Sequence, residues 1–291
     1  IKILFSVGGW TLSENFPAMV ATYETRAKFI AELVEMMKLY KFEGVSYDWE
    51  YPVIGPQFAY SDPRIEEADQ FLNLIRETRL AFDNLSAETG IEYEITIAIS
   101  ANPINLEYLD LPALATYADN FDVMTYDYAA VSWGNGAQHQ SPLYSNPDNP
   151  SPNFQELNVN TICQYLISEG VDRNRIMVGC PAYGRSGSEI FSLFQSGGVA
   201  GPGTWEPANL EYDSIMGRSA KFNVDTNPDN YKWDDKAKAS YYLSDDGTFI
   251  SYDSPRAIEE KCKYIKEQDL GGLFIWEFSN DRNNDILKTA S

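Results

Sequence analysis

The sequence predicts an α/β protein built from repeated strand–helix units. Two observations support this class: short apolar runs alternate with stretches of helical periodicity, and each run ends in polar or aromatic residues. The order strand, helix, strand is typical of parallel βαβ units. The runs that we interpret as strands are 1–10, 42–52, 93–103, 120–129, 175–185 and 271–281.

The stretches between these runs have the apolar spacing of helices. In the first of them, Phe29, Leu33, Met36 and Tyr40 recur three or four residues apart, which places them on one face of a helix. The helices that this periodicity predicts are 22–40, 64–88, about 104–118, 157–170 and 255–268.

Polar or aromatic side chains stand at the carboxyl end of each predicted strand, as Ser6, Ser100 and Glu277 do. In a TIM (β/α)8 barrel the carboxyl ends of the strands form the active-site face, so we expect these side chains to surround one mouth. Six units are present, whereas a closed barrel has eight. We therefore expect strands three to eight of a barrel without its first two βα units. An open, doubly wound six-stranded sheet is the alternative.

Residues 187–254 interrupt the alternation. They contain Gly-rich turns ("SGGVAGPGTW"), short strand-like pieces and no long helical pattern, and the Asp246–Gly247 pair between aromatic-rich arms predicts a β-hairpin. We predict a small α+β insertion on the active-site side. Residues 1–186 and 255–291 would then form the barrel portion.

Composition and charge argue against several classes of partner. The chain has 291 residues and a net charge of −21, so nucleic acid or an anionic membrane would be repelled, and no apolar run approaches the length of a membrane span. The cysteines Cys163, Cys180 and Cys262 lack metal-binding spacing. Because the chain has a single histidine, His139, a His-rich metal site or a Ser-His-Asp triad is disfavoured. We expect neither metal nor cofactor, and a monomer when the chain is complete.

The segment "FEGVSYDWEYP" (42–52) places two carboxylates in a stretch otherwise suited to burial. Because side chains alternate along a strand, Ser46, Asp48 and Glu50 point to one face. Acidic side chains are rarely fully buried unless they are paired. The pattern therefore indicates a functional site, with a strand-end salt bridge or a pair of surface acids as the alternative.

Five segments in order resemble glycoside hydrolase family 18, the chitinase family. The segment 42–52 is similar to the catalytic D-x-x-D-x-D-x-E strand, "SVGGW" to the strand-three S-x-G-G motif, "MTYD" to the strand-six M-x-Y-D motif, and "GCPAYGR" and "GGLFIWEFSND" to strands seven and eight. The resemblance covers essentially the whole chain, and 187–254 resembles the insertion domain of the deep-cleft subgroup. Glu43 and Ser46 depart from the first two acids of the catalytic motif. Ser46 could donate a hydrogen bond to Asp48, but it cannot carry a charge.

The resemblance implies retaining hydrolysis of β-1,4-linked N-acetylglucosamine polymers, in which the acetamide of the substrate is the nucleophile. Glu50 would be the general acid. Asp48 would orient the acetamide and affect the proton affinity of Glu50, because two close carboxylates resist ionising together. Tyr126 would hydrogen-bond the acetamide carbonyl, with a tyrosine corner as the alternative.

The resemblance also implies a set of sugar contacts. Trp276 would form the floor beneath the reacting sugar, and Trp10 and Trp133 would be platforms, although a lone tryptophan more often packs in a core. Asp127 would hold the sugar, with a helix cap as the alternative, and Arg185 could instead pair with a neighbouring acid. The substrate-binding residues implied are Trp10, Ser46, Met124, Asp127, Trp133, Tyr183, Arg185, Asp213 and Trp276.

Two other functions stay open from the sequence. An endo-β-N-acetylglucosaminidase acting on glycoprotein glycans is disfavoured by the insertion, which in relatives walls a cleft for a linear polymer. A non-catalytic chitin-binding lectin is disfavoured because such relatives typically lose the acid that Glu50 retains. The resemblance further implies a secreted protein, and a structural role for His139.

Overall fold

The computed structural model describes residues 1–55, 60–217 and 228–291. The chain forms two compact units. The first contains residues 1–123 and 165–177, and the second contains residues 124–164 and 178–291. Within the described residues, no helix has the length and apolar character that crossing a membrane requires.

The first unit is a parallel sheet flanked by helices. Its elements are β1 (Phe5–Gly8), α1 (Phe16–Val20), α2 (Tyr23–Tyr40), β2 (Gly44–Asp48), α3 (Glu66–Thr89), β3 (Glu94–Ser100), α4 (Leu111–Tyr117) and β4 (Asn120–Met124), whose last residue belongs to the second unit. The strand order is β1–β2–β3–β4. Strands β1 and β2 and strands β2 and β3 pair in parallel, with Ser6 opposite Ser46 and Ser46 opposite Thr96.

Capping residues explain where these helices begin and end. The side chain of Thr22 accepts a hydrogen bond from the Thr25 N–H at the start of α2, and Lys41 ends it in the left-handed conformation. Helix α4 is shorter than the predicted 104–118, because Asp110 caps its first turn through the Ala113 N–H at 3.0 Å. The predictions for α2 and α3 are confirmed within two residues at each end.

Two further elements cross between the units: α5 (Val159–Ser168) begins in the second unit and ends in the first, and β5 (Ile176–Pro181) begins in the first unit and ends in the second. The remaining elements of the second unit are β6 (Tyr183–Ser188), β7 (Val199–Ala200), β8 (Asn209–Glu211), α6 (Tyr212–Ile215), β9 (Tyr231–Asp234), β10 (Ala239–Leu243), β11 (Phe249–Tyr252), α7 (Pro255–Gln268), β12 (Gly272–Trp276) and α8 (Asp285–Ala290). In the strand order, β5 follows β4 and β12 follows β5.

A second, antiparallel sheet has the order β7–β6–β11–β10–β9, with β8 also pairing with β6. The run 175–185, predicted as one strand, is therefore two strands in different sheets. The predicted hairpin is confirmed, since Leu243 lies opposite Phe249 and Gly247 turns with φ 85°. The insertion boundaries 187–254 stay a prediction, and β6 shows that the antiparallel sheet already begins at Tyr183.

The structure confirms an α/β protein with parallel strands, while closure into a barrel and the number of βα units stay predictions. In the first unit, Trp49 follows β2 and is 1% exposed. Its ring stacks on Phe16 at a centroid distance of 5.1 Å and meets Phe71 edge-on at 5.6 Å. This packing anchors the chain between the two predicted catalytic acids.

Candidate active site

The carboxyl end of β2 carries Asp48, and Glu50 follows two residues later, 9% exposed. The loop after β1 holds the backbone of this segment in place. The Glu50 N–H donates to Ser13 Oγ at 2.9 Å, and the Ser13 hydroxyl donates to the Gly9 carbonyl at 2.9 Å. The Gly9 N–H in turn donates to the Asp48 carbonyl at 2.7 Å. The backbone of both acids is therefore held by hydrogen bonds to the loop after β1, two of which involve the Ser13 hydroxyl.

The backbone conformation favours glycine at both positions of "SVGGW", and the close approach of Asp48 requires it at Gly8. Gly8 and Gly9 have φ values of 108° and 99°, which side-chain-bearing residues rarely adopt. A Cβ atom on Gly8 would lie 2.1 Å from the Asp48 carbonyl oxygen. Any other residue at Gly8 would push β1 away from the catalytic segment, so the motif has a direct physical basis.

Asp48 lies in an environment that favours its protonated form. Burial, and after it the like charge of Asp122, raises the pKa of Asp48 to about 6. Its Oδ1 atom is buried and has no hydrogen-bond partner among the described residues. The hydrogen bond that Ser46 could donate to Asp48 is not formed among the described residues. Residues two apart on a strand lie about 7 Å apart, which is too far for a serine side chain to span.

In the second unit, Arg185 on β6 and Asp127 form a two-pronged ion pair. Arg185 Nε lies 2.7 Å from Asp127 Oδ1, and Arg185 Nη2 lies 2.7 Å from Asp127 Oδ2. The guanidinium also lies over the rings of Trp133 and Tyr183, at 4.9 Å and 5.3 Å from their centroids. Asp127 thus pairs with Arg185 rather than capping a helix, and Arg185 has the acidic partner that we considered.

Tyr126 packs in the same part of the second unit. Its ring meets Tyr183 and Phe274 edge-on, each at a centroid distance of 6.1 Å. Burial, and then the charge of Asp127, raises the pKa of Tyr183 well above its ordinary value. Tyr183 therefore stays a neutral phenol. Met124, half-buried, ends β4 just before Tyr126.

The three tryptophans predicted as sugar platforms are exposed. Trp10, Trp133 and Trp276 are 45%, 52% and 52% exposed, whereas Trp49 is buried. Large aromatic rings that remain in solvent are available to pack on the C–H faces of a sugar. The alternative of a core role is therefore wrong for Trp10 and Trp133.

A cleft of about 540 Å³ lies within the second unit. Its lining residues are Asp127, Tyr183, Arg185, Trp205, Asn209, Glu211, Trp276, Glu277, Ser279, Asn280 and Arg282. Four of the predicted sugar-binding residues are among them. Aromatic rings and charged side chains in one cleft provide both stacking surfaces and hydrogen-bond donors and acceptors for a carbohydrate.

Asp213 is buried and is not among the residues that line this cleft, and its predicted sugar contact stays a prediction. It is 2% exposed, and its Oδ2 atom accepts a hydrogen bond from the Arg282 N–H at 3.2 Å. Arg282 also pairs with Glu211 at 3.1 Å. A contribution of Asp213 to the cleft would therefore act through Arg282. His139 is buried with its Nε2 atom 3.0 Å from Asp234, which agrees with a structural role.

The predicted site residues divide between the units. Trp10, Ser46, Asp48 and Glu50 belong to the first unit, and the others belong to the second. The sequence analysis missed Asp122, Trp205, Glu211 and Arg282. A signal for Asp122 was present, because it stands between the apolar residues Phe121 and Val123 of the strand "NFDVM". Within the described residues, no group of three or more His, Cys, Asp or Glu side chains is suited to hold a metal ion.

Comparison with known proteins supports the resemblance of the motifs. Residues 1–281 match the family model described as glycosyl hydrolases family 18. The chain is 32% identical over 295 residues to Chitinase 1 of Aphanocladium album, covering 100% of this chain and 64% of that protein. It thus spans less than two thirds of that relative's length.

Two solved structures are similar over nearly the whole chain. Chitinase ChiA74 from Bacillus thuringiensis matches with a TM-score of 0.84 and 29% identity, covering 96% of this chain and 46% of that one. A mutant of the Ostrinia furnacalis Group II chitinase catalytic domain 2, in complex with penta-N-acetylchitooctaose, matches with a TM-score of 0.86 and 26% identity, covering 100% and 76%. These matches show a TIM-barrel-like α/β fold. With the family model matching nearly every residue, they lead to one conclusion: the chain belongs to glycosyl hydrolases family 18.

Proposed function

We propose that the chain hydrolyses the β-1,4 linkages of chitin with retention of configuration, using the acetamide of the substrate as nucleophile. Glu50 is the general acid, and Asp48 and Tyr126 orient the acetamide. The observation that carries this proposal is the placement of Asp48 and Glu50 at the carboxyl end of β2, held by the loop after β1. Family membership and the chitooligosaccharide named for one structural neighbour support the substrate class.

The reaction balances with these groups alone. Glu50 donates its proton to the glycosidic oxygen as the bond to the anomeric carbon breaks, and the acetamide oxygen forms a bond to that carbon from the opposite face. Asp48 accepts the acetamide N–H, which makes the acetamide oxygen a better nucleophile. Glu50, now ionised, takes a proton from water as the water attacks the anomeric carbon and releases the acetamide. Two inversions give net retention.

The cleft of the second unit supplies sugar contacts in this proposal. Trp276 presents an exposed ring for the C–H face of the reacting sugar, and the other exposed tryptophans hold sugars further along the chain. Arg185 offers further N–H donors to the sugar. Asp127 keeps the guanidinium in one orientation, since Nε and Nη2 both donate hydrogen bonds to that carboxylate. Tyr183 remains a hydrogen-bond donor because its hydroxyl stays protonated.

The first test compares Glu50→Gln with Glu107→Gln on N-acetylchitohexaose. Glu50→Gln retains the shape of the side chain but has no proton to give, so kcat falls by at least about 10²–10⁴. Glu107 is exposed and makes the same chemical change outside the site, so its variant keeps the wild-type rate. Wild-type turnover by Glu50→Gln contradicts the assignment of the acid.

The second test changes the substrate. A hexamer with glucosamine or glucose at the cleavage site lacks the acetamide nucleophile, so hydrolysis is lost even where calorimetry still detects binding. NMR of the fresh products of the natural hexamer shows the β-anomer first. An α-anomer first, or cleavage of cello-oligomers at a comparable rate, contradicts the substrate-assisted route. Binding of the natural hexamer without any cleavage identifies the chain as a lectin.

A further inference from the structure

Asp122 lies on the same sheet as the catalytic segment, although it is 74 residues from Asp48 in the sequence. It occupies the third position of β4, and β3 stands between β4 and β2 in the strand order. On β3, Thr96 is paired with Ser46 of β2, and the hydroxyl of Thr96 lies beside Asp122. The strand order thus brings the Asp122 carboxylate near Asp48, in a motif where Ser46 replaces the usual second aspartate.

Two buried polar atoms in the patch formed by Asp48, Thr96 and Asp122 lack hydrogen-bond partners within the described part of the chain. Asp48 Oδ1 and Thr96 Oγ1 are both buried and without a hydrogen-bond partner of normal geometry among the described residues. A buried acceptor without a donor is destabilising. Protonation of Asp48 replaces its ionised carboxylate by a neutral carboxyl group and reduces this cost. The geometry therefore favours retention of a proton in the patch.

The electrostatic relation between the two acids points the same way. Asp122 acts on Asp48 as a like charge, second only to burial. Burial raises the pKa of Asp122 itself to about 6, while the Thr96 hydroxyl opposes the rise. Ionisation of either group makes ionisation of the other more costly.

The other charged groups near this face have separate roles. Glu94 precedes Thr96 by two residues on β3, and its charge is matched by Lys2 at 2.7 Å. Glu50 lies beyond the end of β2, in the position of the general acid. On β1, Ser6 and Gly8 lie opposite β2 and do not titrate.

We propose that Asp122 is the titrating partner of Asp48, so that the two carboxyl groups lose their protons as a coupled pair and Asp122 supplies from β4 the function that Ser46 cannot supply from β2. Asp122 is a positioning residue, because it acts through Asp48 and not on the sugar. While Asp48 is ionised and accepts the acetamide N–H, Asp122 keeps the proton that would otherwise leave the patch. This role in hydrolysis rests on the proposed function, whereas the coupling itself does not.

The coupling is tested on the free protein by NMR with aspartate labelled at the carboxyl carbon. The Asp48 signal is assigned by its absence in Asp48→Asn and followed between pH 4 and pH 8. In Asp122→Asn its midpoint moves to lower pH by on the order of one unit, because coupled sites interact by more than about one pK unit. In the matched control Asp83→Asn, on an exposed part of α3, the midpoint does not move. An unchanged midpoint in Asp122→Asn overturns the proposal.

The reciprocal measurement keeps the test decisive if one variant folds poorly. In Asp48→Asn, the Asp122 midpoint moves down by the same amount, as linkage requires. The double variant Ser46→Asp/Asp122→Asn returns the Asp48 midpoint towards the wild-type value, and the acid limb of the pH–rate profile returns with it. If the midpoints respond but Glu50→Gln retains activity, the proposed function fails and the coupling stands. If Glu50→Gln is inactive but the midpoints do not respond, the coupling alone fails.

Discussion

Replacing Asp48 by asparagine is expected to inactivate the protein and to make it more stable at alkaline pH. The folded protein holds Asp48 at a pKa of about 6, compared with 3.8 for an ordinary aspartate. Since its folded value is the higher one, the native state binds more protons than the unfolded state between these values. The contribution of Asp48 to the free energy of unfolding is therefore greatest at low pH and is lost as the pH rises through about 6.

The size of this effect follows from the difference in pKa. At full ionisation the cost is about 3 kcal/mol, because each pKa unit corresponds to about 1.4 kcal/mol. About half of that cost is already present at pH 5, so the advantage of Asp48→Asn over wild type should grow by about 1.5 kcal/mol between pH 5 and pH 8. Comparing the two pH values cancels any effect of the asparagine that does not depend on pH.

Urea unfolding followed by tryptophan fluorescence at pH 5 and pH 8 measures this difference. The exposed Asp83→Asn variant is the control for removing one acidic side chain, and its stability should follow that of wild type at both pH values. If Asp48→Asn also follows wild type at both values, Asp48 is not held in its protonated form, and the reasoning about its burial and its neighbour is wrong. A gain in stability together with a loss of turnover identifies Asp48 as a residue whose environment serves catalysis.

Three further predictions concern the second unit. Arg185→Lys keeps the charge but loses the two-pronged pairing with Asp127, so calorimetry should show at least about tenfold weaker binding of chitohexaose. An unchanged affinity would show that Arg185 does not contribute to sugar binding. Trp276→Ala should lower kcat on oligomers of every length, because the reacting sugar loses its aromatic surface, and a wild-type rate contradicts this assignment. Lys261→Met leaves the buried carboxylate of Asp253, 2.5 Å from the lysine, without its ionic partner, so the free energy of unfolding should fall by about 3–5 kcal/mol in urea titration. Lys263→Met, on the exposed side of the same helix, should lower it by less than about 1 kcal/mol.

Local sequence patterns were sufficient for the long helices and for the hairpin. The predicted helices 22–40 and 255–268 correspond to α2 and α7, whose bounds are Tyr23–Tyr40 and Pro255–Gln268. Both are marked by a capping side chain before the first turn, Thr22 or Ser254, and by apolar residues on one face. The hairpin was predictable for the same reason, since an Asp-Gly pair fixes the turn within a few residues. Each of these signals involves residues that are only a few positions apart in the sequence.

The chemical site was partly predictable because its motifs combine local geometry with chemistry. The two glycines before Trp10 and the carboxylates Asp48 and Glu50 could be identified from their segments alone. The function of each segment came from its resemblance to a family, and not from composition or periodicity. The exposure of the platform tryptophans, in contrast to the burial of Trp49, could not be deduced from the residue type.

The tertiary structure alone decided which strands exchange partners and which acids interact. At Ala182 the main chain changes neighbours: its N–H donates to the Trp276 carbonyl at 2.7 Å, and its carbonyl accepts the Tyr212 N–H at 3.1 Å. That change splits an unbroken run into β5 and β6. In the same way, only the strand order brings Asp122 near Asp48. The sequence by itself determined helices α2, α3 and α7, the hairpin and the catalytic motif, because these depend on neighbours along the chain. Strand pairing and pKa values depend on residues far apart in sequence, so they are determined only when the sheet has formed.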